Sequence, residues 1–143
     1  MASRDYLIRQ IEEMGLFLAI LLRRILKMKE ENQQAEVESV VKESLIQEFK
    51  LDIDQVVVLD NIDFLTVAKQ YFASDDQLEK LAEILKVLGQ DIVSSFSLSK
   101  ANYIRKSLFL YTQLQETSSV FSYERRAKIL ELQEIIRAHG LTA

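Results

Sequence analysis

The chain has 143 residues, enough for a single domain with a real core, and residues 1–143 read as one all-α unit. A formal net charge of −4 argues against nucleic acid as the main partner, and the absence of cysteine removes disulfides, thiolate metal sites and a cysteine nucleophile. There is no proline and there are three glycines, a bias that fits helix almost throughout, because proline breaks helix interiors and populates turns.

The first predicted helix covers residues 4–29, with Ser3 as its expected N-cap and Asp5 near the positive end of its dipole. Leu7, Ile11, Met14, Leu18, Leu21, Ile25 and Met28 keep a four-three spacing that lines one face. Leu16 and Ile20 stand nearly opposite, with Phe17 on the flank. A helix apolar on all sides is expected to be buried on all sides, so it is either central or shared with another molecule. Leu16, Phe17 and Ile20 are therefore the candidate interface, self-association included. The apolar run 14–22 is too short to span a bilayer, which takes about twenty residues. Glu12 and Glu13 open that run, so no signal peptide is expected and the cytoplasm is the default location.

A second helix is predicted from Asn32 to about Phe49, with Val37, Val40, Val41, Ser44, Leu45 and Phe49 as its apolar stripe. The short polar joint makes the first two helices an antiparallel hairpin. In residues 51–63 the triplet Val56-Val57-Val58 resembles a strand, but a lone strand has no partner here. A short helix capped by Asp52 or Asp54 is expected instead. A turn at Asp60-Asn61 then leads to a helix carrying Phe64, Leu65, Val67, Ala68, Tyr71 and Phe72.

Ser74 with Gln77 three residues on forms a capping box for a helix carrying Leu78, Leu81, Leu85, Leu88 and Ile92. That helix is expected to end near Ser95 or Phe96. Ser97 or Ser99 starts the next, with Ala101, Ile104, Leu108 and Tyr111 on one face. After a break at residues 117–119, Ser122 caps a last helix ending at Ala138, where Gly140 can take the left-handed C-cap conformation.

Residues 82–115 resemble a degenerate tetratricopeptide-type hairpin. Leu88-Gly89 matches the repeat's leucine-glycine pair, flanked by Leu85 and Ile92, and Ile104 and Ser107-Leu108 take the usual slots of its second helix. Lys100 stands where a small residue belongs, the spacing between helices is about one residue short, and no proline closes the unit. The opening Arg4-Asp5-Tyr6-Leu7-Ile8-Arg9-Gln10-Ile11-Glu12 resembles that of an uncharacterised family of small bacterial proteins with a tetratricopeptide-like helical part. The resemblance implies antiparallel helical hairpins, in a bundle or short solenoid, and carries over no activity.

No catalytic, cofactor or metal site is expected. His139, the only histidine, sits where a helix C-cap belongs. Asp52, Asp54, Asp60 and Asp63 lack the glycine bend and terminal glutamate of a calcium loop and read as helix caps. Glu12-Glu13 and Glu30-Glu31 point in different directions on a helix. Two basic patches, Arg23-Arg24-Lys27-Lys29 and Arg125-Arg126-Lys128, read mainly as solvated faces. They also carry the alternative function, a DNA- or phosphate-binding regulator. Tyr103, Tyr111, Phe109, Phe121 and Tyr123 cluster in the last two helices. Most read as core, and Tyr103, Tyr111 and Tyr123 are the candidates to line a peptide groove. The expected function is a non-catalytic protein–protein interaction or scaffold module.

Overall fold

The structure, a computed structural model, describes residues 2–93 and 95–141. Among these the chain forms seven α-helices and no strand: α1 (Ala2–Glu30), α2 (Gln34–Phe49), α3 (Ile53–Val57), α4 (Asn61–Tyr71), α5 (Asp75–Gly89), α6 (Leu98–Thr117) and α7 (Tyr123–Ala138). A 3-10 turn at Gln90–Val93 prolongs α5. No helix among the described residues is long and apolar enough to cross a membrane.

Short polar side chains start the later helices. The carboxylates of Asp52 and Asp60 accept the backbone N–H groups of Asp54 and Asp63 at 3.2 and 2.8 Å. The hydroxyls of Ser74, Ser97 and Ser122 accept those of Gln77, Lys100 and Arg125, each at 3.1 Å. Each cap satisfies a donor that the first helical turn leaves unpaired. Of the valine triplet, Val56 and Val57 are helical and Val58 caps the helix, with Ile53 and Val57 buried on one side at a helical period rather than a strand's.

At the C-terminus of α7, Gly140 has φ +64°, with Gly140 N–H donating to Arg137 O and Leu141 N–H to Ile136 O. That is a Schellman ending. Asn32 does the same for α1 at φ +61°, with Asn32 N–H on Lys29 O and Gln33 N–H on Met28 O. Asn32 thus closes the first helix and does not open the second. Ser3 lies within α1 and is not its N-cap.

The enclosed helix is α5, not α1. From Gln77 to Gln90 no residue of α5 or its 3-10 extension is exposed. Helix α1 runs parallel to α5 on one side, with Gln77 Nε2 donating to the Ile11 carbonyl at 2.7 Å and Lys29 bonded to Gln90 at the far end. Helix α2 returns antiparallel along α1, and the edge-to-face chain Phe17–Phe49–Phe72, with centroids 5.2 and 5.4 Å apart, closes one end of the core.

Helix α6 runs antiparallel to α5 at close range. Ser107 Oγ donates to Ala82 O at 2.6 Å, and a Cβ at Gly89 would fall 2.6 Å from Ile104 Cγ1 and 2.9 Å from Lys100 O. Helix α7 packs on α6 and reaches α5 through charges. Arg125 forms a two-bond fork with Glu79 at 3.0 Å, Lys128 meets Glu83 at 3.2 Å, and Lys86 meets Glu131 at 2.9 Å.

Two glycines are therefore expected to respond oppositely to alanine. Gly89→Ala should destabilise by roughly 1–3 kcal/mol, because the methyl group meets both a side chain and backbone. Gly15→Ala should stabilise by about 0.5–1 kcal/mol, since its Cβ would rest 3.4 Å from the Gln77 amide within a helix interior. Denaturant melts of both variants beside the parent chain check the pair.

Candidate functional site

The first turns of α1 project past the bundle. The α5 helix begins at Asp75, near Ile11, and α2 ends at Phe49, beside Phe17, so residues 4–13 are exposed, with Gln77 on the Ile11 carbonyl and Gln10 and Glu13 bordering a cleft with Glu48, Phe49 and Tyr71. On a helical wheel Leu7 and Ile11 lie in line with the fully buried Leu18, Leu21 and Ile25. The core-facing stripe thus continues into solvent. Leu7 is 56% exposed and Ile11 39%, with Tyr6 and Ile8 exposed beside them.

On the other face of α1, Leu16 is 62% exposed and Ile20 56%. Of the two expectations for this helix, central or shared with another molecule, the first is corrected: within the chain it is peripheral, with α2 and α5 on one side and Leu16 and Ile20 exposed on the other. Phe17 separates from the other two candidates, half-buried against Phe49.

The three tyrosines are not brought together. Tyr103 and Tyr111 are wholly buried and line no groove, whereas Tyr123 is exposed and stacks edge-on with exposed Phe121 at 5.1 Å. Tyr103 is covered on the side of α2 and α3, where its hydroxyl meets Glu38 and Asp54, and Tyr111 on the side of α7, where Lys128 lies 5.6 Å from its ring centroid.

Tyr103 joins a polar network across three helices. Its hydroxyl donates to Asp54 of α3 and lies 3.2 Å from Glu38 Oε1 of α2. Lys42 bridges the same two carboxylates at 2.8 Å each. Burial lowers the Lys42 pKa, but the hydrogen bonds and charges of Asp54 and Glu38 outweigh it and leave the ammonium above its ordinary value. Burial, and then Asp54, raises the Tyr103 phenol far above its ordinary range. The Tyr111 hydroxyl is buried with no hydrogen-bond partner among the described residues, and burial raises its pKa as well.

The aspartates divide as their local bonds dictate. Asp52 and Asp60 cap helices, Asp54 belongs to the Tyr103 network, and Asp63 offers its backbone N–H to Asp60. His139 stands at the end of α7, its N–H on Ile135 O at 3.2 Å. Of the second basic patch, Arg125 and Lys128 are engaged by Glu79 and Glu83, and only Arg126 is left exposed. In the first patch Arg23, Arg24, Lys27 and Lys29 are exposed, Lys29 reaching Gln90.

Sequence reasoning passed over two features: the outward Tyr6, Leu7, Ile8 and Ile11, and a buried lysine, Lys106. Lys106 interrupts the buried spacing Tyr103, Leu110, Leu114, which is the signal that marks it.

No protein-family model matches the chain, and no curated protein or solved structure matches it significantly.

The two buried phenols should behave differently on truncation. Tyr103→Phe should cost about 1–2 kcal/mol by stripping a donor from two carboxylates, and Tyr111→Phe should be neutral or stabilising, since it removes an unmade bond. Chemical unfolding resolves the contrast. Both folded-state pKa values lie above the unfolded value of about 10, so the phenols leave stability independent of pH below that value and lower it as pH rises beyond. In an alkaline titration followed at 295 nm, two tyrosines should ionise only as helicity is lost.

Proposed function

We propose that this chain is a non-catalytic protein–protein interaction module of the bacterial cytoplasm, self-associating through α1 and acting without metal or cofactor. The observation that carries the reading is the exposed apolar surface of α1, with Leu7 and Ile11 on one face and Leu16 and Ile20 on the other. Fully burying each such side chain stabilises by about 1.5–3 kcal/mol, a gain the isolated chain forgoes.

The occupant this surface fits is the α1 of a second copy, laid antiparallel. Leu7, Ile11 and Met14 keep the four-three spacing by which helices interlock. The projecting segment carries Arg4, Asp5 and Arg9 toward its start, net positive, and Glu12 and Glu13 at its end. Antiparallel pairing sets those opposite charges against each other, and parallel pairing sets like against like. The tight α5–α6 hairpin, with Gly89 and Ser107 at its contact, supports the scaffold part of the reading. The alternative, a DNA- or phosphate-binding regulator, loses support at the second basic patch, where Arg125 and Lys128 already meet Glu79 and Glu83, and would fall to the exposed Arg23, Arg24 and Lys27 of the first.

Sedimentation velocity over a concentration series tests this. The parent chain should self-associate; Leu7→Glu with Ile11→Glu should weaken association at least about tenfold where the projecting stripe is the seam, and Ile20→Glu alone where the opposite face is. These positions are exposed, so stability should stay within about 0.5 kcal/mol. A parent chain that remains monomeric at every concentration overturns the reading. So does an oligomer indifferent to all three substitutions.

A further inference from the structure

A groove of about 400 Å³ opens where the start of α4 meets α6 and α7, lined by Asn61, Arg105, Lys106, Leu108, Phe109, Thr112 and Gln133. Among the described residues its lining holds Lys106, Arg105, which also donates to Asn102 Oδ1 at 3.3 Å, three neutral hydrogen-bonding side chains and no carboxylate. Four other clefts each include at least one carboxylate: Glu38 and Asp91, Asp75, Asp91, and Glu13 with Glu48. In a chain of net charge −4, a groove built around a buried lysine stands apart from these.

Lys106 is the centre of it. The residue is 8% exposed, its Nζ donates to Asn61 Oδ1 at 2.9 Å, and it lies 5.5 Å from the centroid of Phe64. Among the described residues no carboxylate lies within ion-pair distance of Nζ. Asp60 acts on it from farther off, but its carboxylate accepts the Asp63 N–H as the α4 cap. Buried charges are ordinarily paired, and an amide with a ring face is a thin substitute. Burial is the largest influence on this ammonium and lowers its pKa; Asp60 opposes the shift and Arg105 adds to it.

We propose that this groove is a binding site for a small organic anion, a carboxylate or phosphate head on an apolar body. Lys106 meets the head, with the amides of Asn61 and Gln133 and the Thr112 hydroxyl as further donors. Leu108 and Phe109 cover the apolar body, and the volume lies within the usual range for small-ligand sites. The site is separate from α1 and does not depend on self-association.

Calorimetric titration of the full chain with phenyl phosphate and with phenylacetate, alongside inorganic phosphate and benzyl alcohol, tests the proposal. At least one aromatic anion should bind saturably at about 1 mM or tighter, inorganic phosphate more weakly and the neutral alcohol not at all. The side-chain amide resonances of Asn61 and Gln133 should shift on binding. Whichever anion binds better identifies the head group. Lys106→Met should weaken binding at least about tenfold while helicity and melting temperature hold. If that variant does not fold, Lys106→Gln, which keeps a polar group beside Asn61, carries the same comparison. The proposal is overturned if neither anion saturates, if benzyl alcohol binds equally well, or if affinity is unchanged in the folded variants.

Discussion

The close approach of α5 and α6 is the constraint from which the rest of the bundle follows. Where Gly89 meets Ile104 and Lys100 O, and Ala82 O meets Ser107, there is no room for a larger side chain at the glycine and little at the serine. Interiors are packed to crystal-like density, so contact at this range fixes the register of both helices. With α6 on one side, α5 takes α1 on another, and its whole length from Gln77 is enclosed. Gln77 is the clearest consequence. Its backbone N–H reaches the Ser74 cap, its Oε1 accepts the Ala73 N–H at 3.1 Å, and its Nε2 reaches the α1 backbone. The residue that starts α5 also sets how far along α1 it lies.

Charge then orients what packing has assembled. The α5–α7 ion pairs keep matched spacing, Glu79, Glu83 and Lys86 against Arg125, Lys128 and Glu131, which suits two helices running the same way. Exposed pairs are worth under about 1 kcal/mol each, so the row stabilises modestly. Its stronger effect is on alignment: sliding α7 by one turn would set Lys128 toward Glu79 and leave Glu83 without its cation. The Tyr103 network does the same for α3. A five-residue helix has no independent stability, and α3 is held by buried Ile53 and Val57 and by Asp54 bonded to Lys42 and Tyr103.

Much of this was legible in the sequence because capping is local chemistry. Asp60, Ser74, Ser97, Ser122 and Gly140 each act through neighbours a few residues away, so position alone exposes them. What failed was long-range. The charges of α5 look like a solvent face, and only the fold shows that Glu79, Glu83 and Lys86 meet charges about forty-five residues farther along the chain. For that reason α1, with more apolar sides, looked central when α5 is. Tyr103 and Tyr111 looked available for a groove because a tyrosine on a helix face carries no mark of whether another helix covers it. The left-handed Asn32 and Lys50 escaped too, since neither is glycine and their φ values are set by the turns that join helices.

The projecting end of α1 raises a question of free energy that the isolated bundle does not answer. A ten-residue helix in water is marginal by itself, because nucleation is costly. Here the docked part of α1 supplies the nucleus, and residues 4–13 need only propagate it. That explains why the segment is helical, but not why it is apolar: Leu7, Ile8 and Ile11 gain nothing from propagation that polar helix-formers would not also give. Their register matters more than their number, since Leu7 and Ile11 extend the line of the buried Leu18, Leu21 and Ile25. A stripe in that register presents to a second helix the same geometry that α5 already accepts farther along. On the proposed reading the bundle is therefore continued by its partner in the packing mode it uses internally, and Leu16 and Ile20 offer a second, independent line of contact on the opposite face.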